Sequence, residues 1–169
     1  VSGDPYLAEL AARGYRDEDA ERFVCAWERV EGAYFASIAT VIVPSDGWRD
    51  RFRAAAMETA RLVESHRAEA RFLVVDAMAA GELGRERQQA LAERLALWLD
   101  SAREELDEPS SVPPVTGGWI VAVFFDRVYR RCVFDATPDL PSQLPELMFL
   151  AVSAYFGTEA GLHELTRLA

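Results

Sequence analysis

Residues 17–41, DEDAERFVCAWERVEGAYFASIATV, decide the fold class. Phe23, Trp27, Val30, Tyr34, Ile38 and Val41 recur at spacings of three and four, which puts them on one face of a long helix. Asp17 is placed to cap that helix. Glu18, Asp19 and Glu21 bring negative charge to its first turn, where the helix dipole favours it. A break at Pro44-Ser45-Asp46-Gly47 ends the segment.

The same grammar extends in both directions. Upstream, Asp4-Pro5 reads as an N-cap with proline at the first helical position, and Gly14 closes a short helix carrying Leu7, Leu10 and Ala11. Downstream, Ser45 or Asp46 is expected to cap a helix to about Ser65 that shares Trp48, Phe52, Ala55, Ala56, Ala60 and Val63 on one face. Residues 67–80 are expected to form one apolar helix, because Ala68 to Arg71 and Ala77 to Ala80 are strong helix formers around Phe72 to Val75. Gly81 and Gly84 should punctuate its end, and residues 85–106 should form an amphipathic helix with Leu91, Leu95, Trp98 and Leu99. After an irregular linker at 107–114, Thr116 is expected to cap a helix running to about Asp135. A break at 137–141 precedes a helix over 143–156, and Gly157 separates it from a short terminal helix beginning at Thr158. No β-hairpin signal appears. The expected fold is all-α, with about eight helices.

Composition narrows the function. At 169 residues and 18.8 kDa the chain fits one domain or a long fragment of something larger, with residues 1–16 as an N-terminal piece and 17–169 as the body. The 28 acidic residues against 18 basic ones give a net charge of −10, which leaves little field to attract DNA or RNA. All the basic residues are arginine. No apolar run is long enough to cross a membrane, and no signal peptide opens the sequence, so a cytoplasmic protein without a membrane partner is expected. Cys25 and Cys132 lack metal-ligand spacing and read as small buried residues in a reducing compartment. No cofactor is indicated.

No catalytic constellation is legible, and a non-enzymatic role is expected. His66 sits at a helix end, and its neighbour Ser65 should point about 100° away from it. Glu104, Glu105, Asp107 and Glu108 read as a solvated face. Gly117-Gly118 lacks the lysine of a phosphate loop and suits close helix packing instead. The informative surplus is aromatic. Trp48, Phe52, Phe72, Trp98, Trp119 and Tyr129, on four helices, are the expected walls of an apolar cavity for a small molecule.

A second expectation concerns the last two long helices. Residues 119–125 are apolar on every side, and the following helix repeats Leu144, Leu147, Met148, Ala151, Val152 and Tyr155. A homodimer built on a four-helix bundle would cover both, with Phe125, Val128 and Cys132 contributed by the first helix.

The order of these elements resembles that of TetR-type transcriptional regulators. Glu21-Arg22-Phe23-Val24-Cys25-Ala26-Trp27-Glu28 resembles the first helix after that family's DNA-binding domain, and Asp46-Gly47-Trp48-Arg49-Asp50-Arg51-Phe52-Arg53-Ala54 resembles the next. Arg71-Phe72-Leu73-Val74-Val75-Asp76-Ala77-Met78-Ala79-Ala80-Gly81 is similar to the short central helix. Thr116-Gly117-Gly118-Trp119-Ile120, Leu144-Pro145-Glu146-Leu147-Met148-Phe149-Leu150-Ala151 and Tyr155-Phe156-Gly157-Thr158-Glu159-Ala160 are similar to the family's closing signatures. The likeness spans about residues 17–165. It implies a ligand-sensing and dimerisation domain for a small apolar or amphipathic molecule. Only 22 residues, acidic on balance, precede Phe23, too few for the family's three-helix DNA-binding unit, so that unit is expected to be lacking or to lie upstream of Val1. A helical enzyme acting on an apolar substrate and a protein-interaction module are the alternatives.

Overall fold

A computed structural model describes residues 5–134 and 138–167. These form eight α-helices joined by turns and short 3-10 segments, with no strand among the described residues. The helices are α1 (Pro5–Arg13), α2 (Ala20–Val41), α3 (Trp48–Ser65), α4 (Arg67–Val74), α5 (Gly81–Asp100), α6 (Thr116–Val133), α7 (Leu140–Phe156) and α8 (Thr158–Arg167). The all-α expectation and the helix number therefore stand. The expected cap Asp4, the helix end at Asp135 and the break residue Thr137 lie outside the described residues.

Several boundaries differ from expectation, each for a reason that lies far away in sequence. Asp17–Asp19 is a 3-10 turn, and α2 begins only at Ala20, because Asp19 is buried as the partner of Arg13. Arg13 grips it with two nitrogens, each 2.8 Å from a carboxylate oxygen. Gly47, rather than Ser45 or Asp46, stands at the α3 N-cap, and the free Trp48 amide donates to Glu105 Oε1 at 2.6 Å. Glu105 thus closes a helix end within a run expected only to face water.

The stretch 67–80 splits. The α-helix stops at Val74, and Asp76–Ala80 continues as a 3-10 segment. Gln88 of α5 makes the break tolerable by donating to the Leu73 and Val74 carbonyls at 3.0 and 3.4 Å. α5 accordingly starts at Gly81 instead of Arg85 and ends at Asp100, with a 3-10 segment over Ser101–Glu105. Thr116 does not cap α6, since its hydroxyl donates to the Pro113 carbonyl at 2.8 Å. α7 begins earlier than expected, at Leu140, because the Asp139 carboxylate accepts from the Ser142 amide at 2.8 Å.

Packing places α2 beside α3, α4 beside α6, α5 beside α6, and α3 beside α7. A Cβ at Gly117 would lie 2.6 Å from the Ala96 carbonyl oxygen, so α6 approaches α5 closely there. Gly118 meets nothing, so only the first of the two glycines has that role. Gly157 takes φ +85°, which lets α8 fold back on α7.

The interior contains three buried apolar clusters. One joins α3, α5, α6 and α7 around Trp48, Phe52, Leu144, Met148 and Val152. Another joins α1, α2, α4 and part of α5 around Leu10, Phe23, Trp27 and Phe72. The third is small and contains Ala60, Val63, Val128 and Leu140.

One ion pair ties three helices together. Arg131 donates to both Glu64 oxygens at 2.8 and 2.7 Å, and the Leu140 amide adds a bond at 3.1 Å. The Arg131 hydrogen bonds hold the Glu64 carboxyl below its ordinary 4.5, with the Leu140 amide helping and burial opposing. A lowered carboxyl pKa contributes stability above the unfolded value and loses it as pH falls through the folded one. Glu64→Gln should therefore destabilise the protein near neutrality and flatten its acid-unfolding slope below pH 4.5. Urea unfolding at about pH 7 and about pH 3 measures both effects. An unchanged slope would mean the pair carries no proton linkage.

Candidate functional site

A cavity of about 350 Å³ lies among α2, α3, α4, α5 and α6. That is at the lower end of the usual range for small-molecule sites, roughly 300–1,000 Å³. Its walls are overwhelmingly apolar. Phe52 from α3, Trp98 from α5, and Phe124 and Phe125 from α6 supply large rings, with Leu73, Leu91 and Val121 between them. Ala33, Ala56 and Ala70 supply the small side chains that leave room. Large rings set on separate helices keep the walls apart, while alanines on α2, α3 and α4 do not fill the space.

Phe52 and Trp98 line the cavity as expected from sequence, their rings 6.1 Å apart. The other four expected wall residues do not. Trp48 is fully buried in the core behind Phe52, stacked on it at 4.9 Å. Phe72 is fully buried among Phe23 and Trp27, at 5.3 and 6.0 Å. Trp119 and Tyr129 face outward, 66% and 42% exposed. All four helical segments expected around the cavity contribute to it, but α2 was not among them.

The α2 contribution is the polar one. Tyr34 and Ser37 line the cavity from α2, and Thr59 lines it from α3. The Tyr34 and Thr59 hydroxyls are 3.0 Å apart, and Thr59 donates to the Ala55 carbonyl at 2.8 Å. Ser37 donates to Glu58 Oε1 at 2.7 Å. Burial raises the Tyr34 phenol above its ordinary 10.0, with the Thr59 bond opposing, so the group is a neutral phenol near pH 7. The signal available in sequence was Tyr34 and Ser37 three residues apart, next to Ala33, on an otherwise apolar stripe. Arg29, His66 and Glu69 complete the polar lining.

His66 leaves the helix, with φ −129°, and this brings its Nδ1 to 2.8 Å from Ser65 Oγ. The expected divergence of these neighbours fails for that reason, since it presumed both in helical conformation. Ser65 Oγ also donates to the Arg61 carbonyl at 2.8 Å. Among the described residues, no group of three or more His, Cys, Asp or Glu side chains is placed to hold a metal ion. The cysteines are unpaired. Cys25 is exposed, contrary to the expectation of burial, and Cys132 is partly buried, which raises its thiol pKa.

The residues expected at a dimer interface are mostly turned inward. Leu144, Leu147, Met148, Ala151, Val152 and Tyr155 are all buried within the chain's own core. Tyr155 also donates its hydroxyl to Asp100 at 2.7 Å. Phe125 and Val128 line the cavity, and Cys132 packs on the third cluster. The outward face of α6 instead shows Trp119, Tyr129 and Val133, with Val115 just before the helix. These positions, with exposed Ala122 and Asp126, follow one another at three- and four-residue steps. The helix α6 is therefore not covered all round in the chain alone. Leu150 on α7 is also exposed.

Among the described residues, no helix is long and apolar enough to cross a membrane. Compared with known proteins, the chain matches no family model, no curated protein and no solved structure.

Proposed function

We propose that this chain is a ligand-sensing and dimerisation domain of the TetR type that binds a small apolar or amphipathic molecule. The cavity of about 350 Å³ among five helices is the observation that carries the reading. The order of helices and the sequence segments described above support the family likeness. The acidic balance, −10 overall, and the burial of Tyr6, Leu7 and Leu10 of α1 in the core support a chain that does not grip DNA by itself.

Titration with apolar and amphipathic compounds tests the ligand. Binding should change tryptophan emission, because Trp98 lines the cavity, and raise Tm with ligand concentration. Saturable stabilisation without turnover is the expected result. Turnover of a compound would favour the helical enzyme, and silence across the panel would favour an interaction module.

The dimer is proposed on a different face from the one first expected. A second copy is placed on the outward face of α6, around Trp119 and Tyr129, because these large rings are exposed at interface-forming positions. Light scattering at low micromolar concentration should give twice 18.8 kDa. Trp119→Glu with Tyr129→Glu should return the chain to monomer without altering its Tm by more than a few degrees. A monomeric wild type would remove the dimer from this proposal.

A further inference from the structure

The cavity is long and thin. Its lining residues on α3 run from Phe52 through Ala56, Thr59 and Val63 to His66, about 21 Å at 1.5 Å per residue. A volume of about 350 Å³ spread over that length leaves a mean section of about 17 Å². That admits one hydrocarbon chain and excludes a compact cage of rings. The two ends differ. Tyr34 meets Thr59 at 3.0 Å and Ser37 meets Glu58 at 2.7 Å, so α2 runs antiparallel to α3 and places Arg29 and Ala33 toward the His66 end. Arg29 and Ala33 are exposed, and His66, Glu69 and Ala70 are partly so, which makes this end the mouth. At the other end Phe52, Leu99 and Val121 are buried, and the Phe124 and Trp98 rings stand 6.0 and 6.1 Å from Phe52. Trp48 backs this floor, stacked on Phe52 at 4.9 Å. Among the described residues no charged side chain lines the floor, and its polar side-chain group is the Trp98 indole N–H.

We infer that the cavity is a blind channel for the single hydrocarbon chain of an amphiphile, which enters tail first and leaves its polar head at the mouth among Arg29, His66 and Glu69. The inference rests on the ligand-binding reading above and names the shape and orientation of that ligand. The tail passes Tyr34, Ser37 and Thr59 without stripping them of partners. Tyr34 and Thr59 bond each other, Thr59 donates to the Ala55 carbonyl, and Ser37 donates to Glu58. Each methylene that leaves water for this wall adds about the same free energy until the tail meets Phe52. The head keeps its water at the mouth, since a charged group carried to the floor would lose its hydration with no opposite charge to replace it. Phe52 therefore fixes the greatest chain length, and Ala56, one turn nearer the mouth, leaves the space in which the last carbons lie.

The test uses the chain as it is, with tryptophan emission and Tm as readouts. The probes are the straight-chain carboxylates from octanoate to hexadecanoate, kept below the concentrations at which they form micelles. Affinity should rise about fourfold per added methylene and stop rising before hexadecanoate. Adamantane carboxylate, with as many carbons as undecanoate, should bind about tenfold more weakly than its partition into octanol implies. Decanol and decylamine should bind within about tenfold of decanoate, because all three heads stay in water. Ala56→Leu should bring the break about three carbons earlier, the number it adds to the wall. Ala33→Leu narrows the mouth, so it should slow the uptake of every chain and leave the break where it stands. A series that rises to hexadecanoate without a break overturns the inference while leaving the cavity as a ligand site. So does a break that Ala56→Leu leaves in place or that Ala33→Leu moves. An adamantane carboxylate that binds as its partition implies, or a head that changes affinity by more than about tenfold, has the same consequence. No binding by any of the probes overturns this inference and the ligand-sensing reading together.

Discussion

Arg53→Ala should lower the stability of the chain by about 3–5 kcal/mol, the cost of leaving a buried charge without its partner. Glu164 of α8 is 1% exposed, and Arg53 of α3 meets the same carboxylate oxygen with Nε at 3.1 Å and Nη2 at 2.5 Å. Arg53 also reaches Asp50 at 2.5 Å, but that carboxylate is about half exposed and can exchange its partner for water. Glu164 cannot. The double variant Arg53→Met with Glu164→Leu should recover most of the loss, because it removes both charges and keeps apolar volume. Urea midpoints at unchanged m-values read the three states of the pair. A single variant within about 0.5 kcal/mol of wild type would show that Glu164 reaches solvent.

Trp48→Ala carries an effect of similar size by another route. The indole is fully buried, stacked on Phe52 at 4.9 Å and edge-on to Tyr155 at 5.3 Å. Removing it leaves a void that the surrounding α3, α7 and 3-10 residues cannot fill, for about 3–5 kcal/mol. Trp48→Phe should cost markedly less. It keeps an aromatic ring against Phe52, and it removes an indole N–H that is buried without a hydrogen-bond partner. Thermal melts of both variants, with ligand titration alongside, separate core from site. If Trp48→Ala were nearly neutral for stability yet abolished binding, Trp48 would belong to the cavity after all.

Helices were legible in this sequence, and their ends were less so. Of the stripe Phe23, Trp27, Val30, Tyr34, Ile38 and Val41, four members are buried as the spacing implies, while Tyr34 and Val41 are only partly buried. Spacing carries no trace of a cap supplied from elsewhere, however. Glu105 holds the start of α3 from 57 residues away, and Gln88 holds the end of α4 from 15. The same limit explains the site. In α6 nearly every position from Trp119 to Phe125 is apolar, so periodicity cannot say which side faces in. Phe124 and Phe125 face the cavity and Trp119 faces out. Large aromatics are conspicuous in a sequence, yet a void depends equally on the alanines that fail to fill it. Ala33, Ala56 and Ala70 resemble any other helical alanine until the helices are assembled.

The cavity also stands between two separately packed halves of the interior. Phe52, Leu99 and Val121 on its wall belong to the cluster around Trp48, while Val30, Leu73 and Leu91 belong to the cluster around Phe23. Leu95 and Phe125 pack against both clusters. Cooperativity between the halves is therefore thinnest where the wall is hollow, and each half can act as its own unit of local opening. A molecule seated there supplies the missing dispersion contacts across the gap and fuses two foldons into one. Occupancy would then be felt at α1 and α8 alike, as a slowing of amide exchange in helices that never touch the guest.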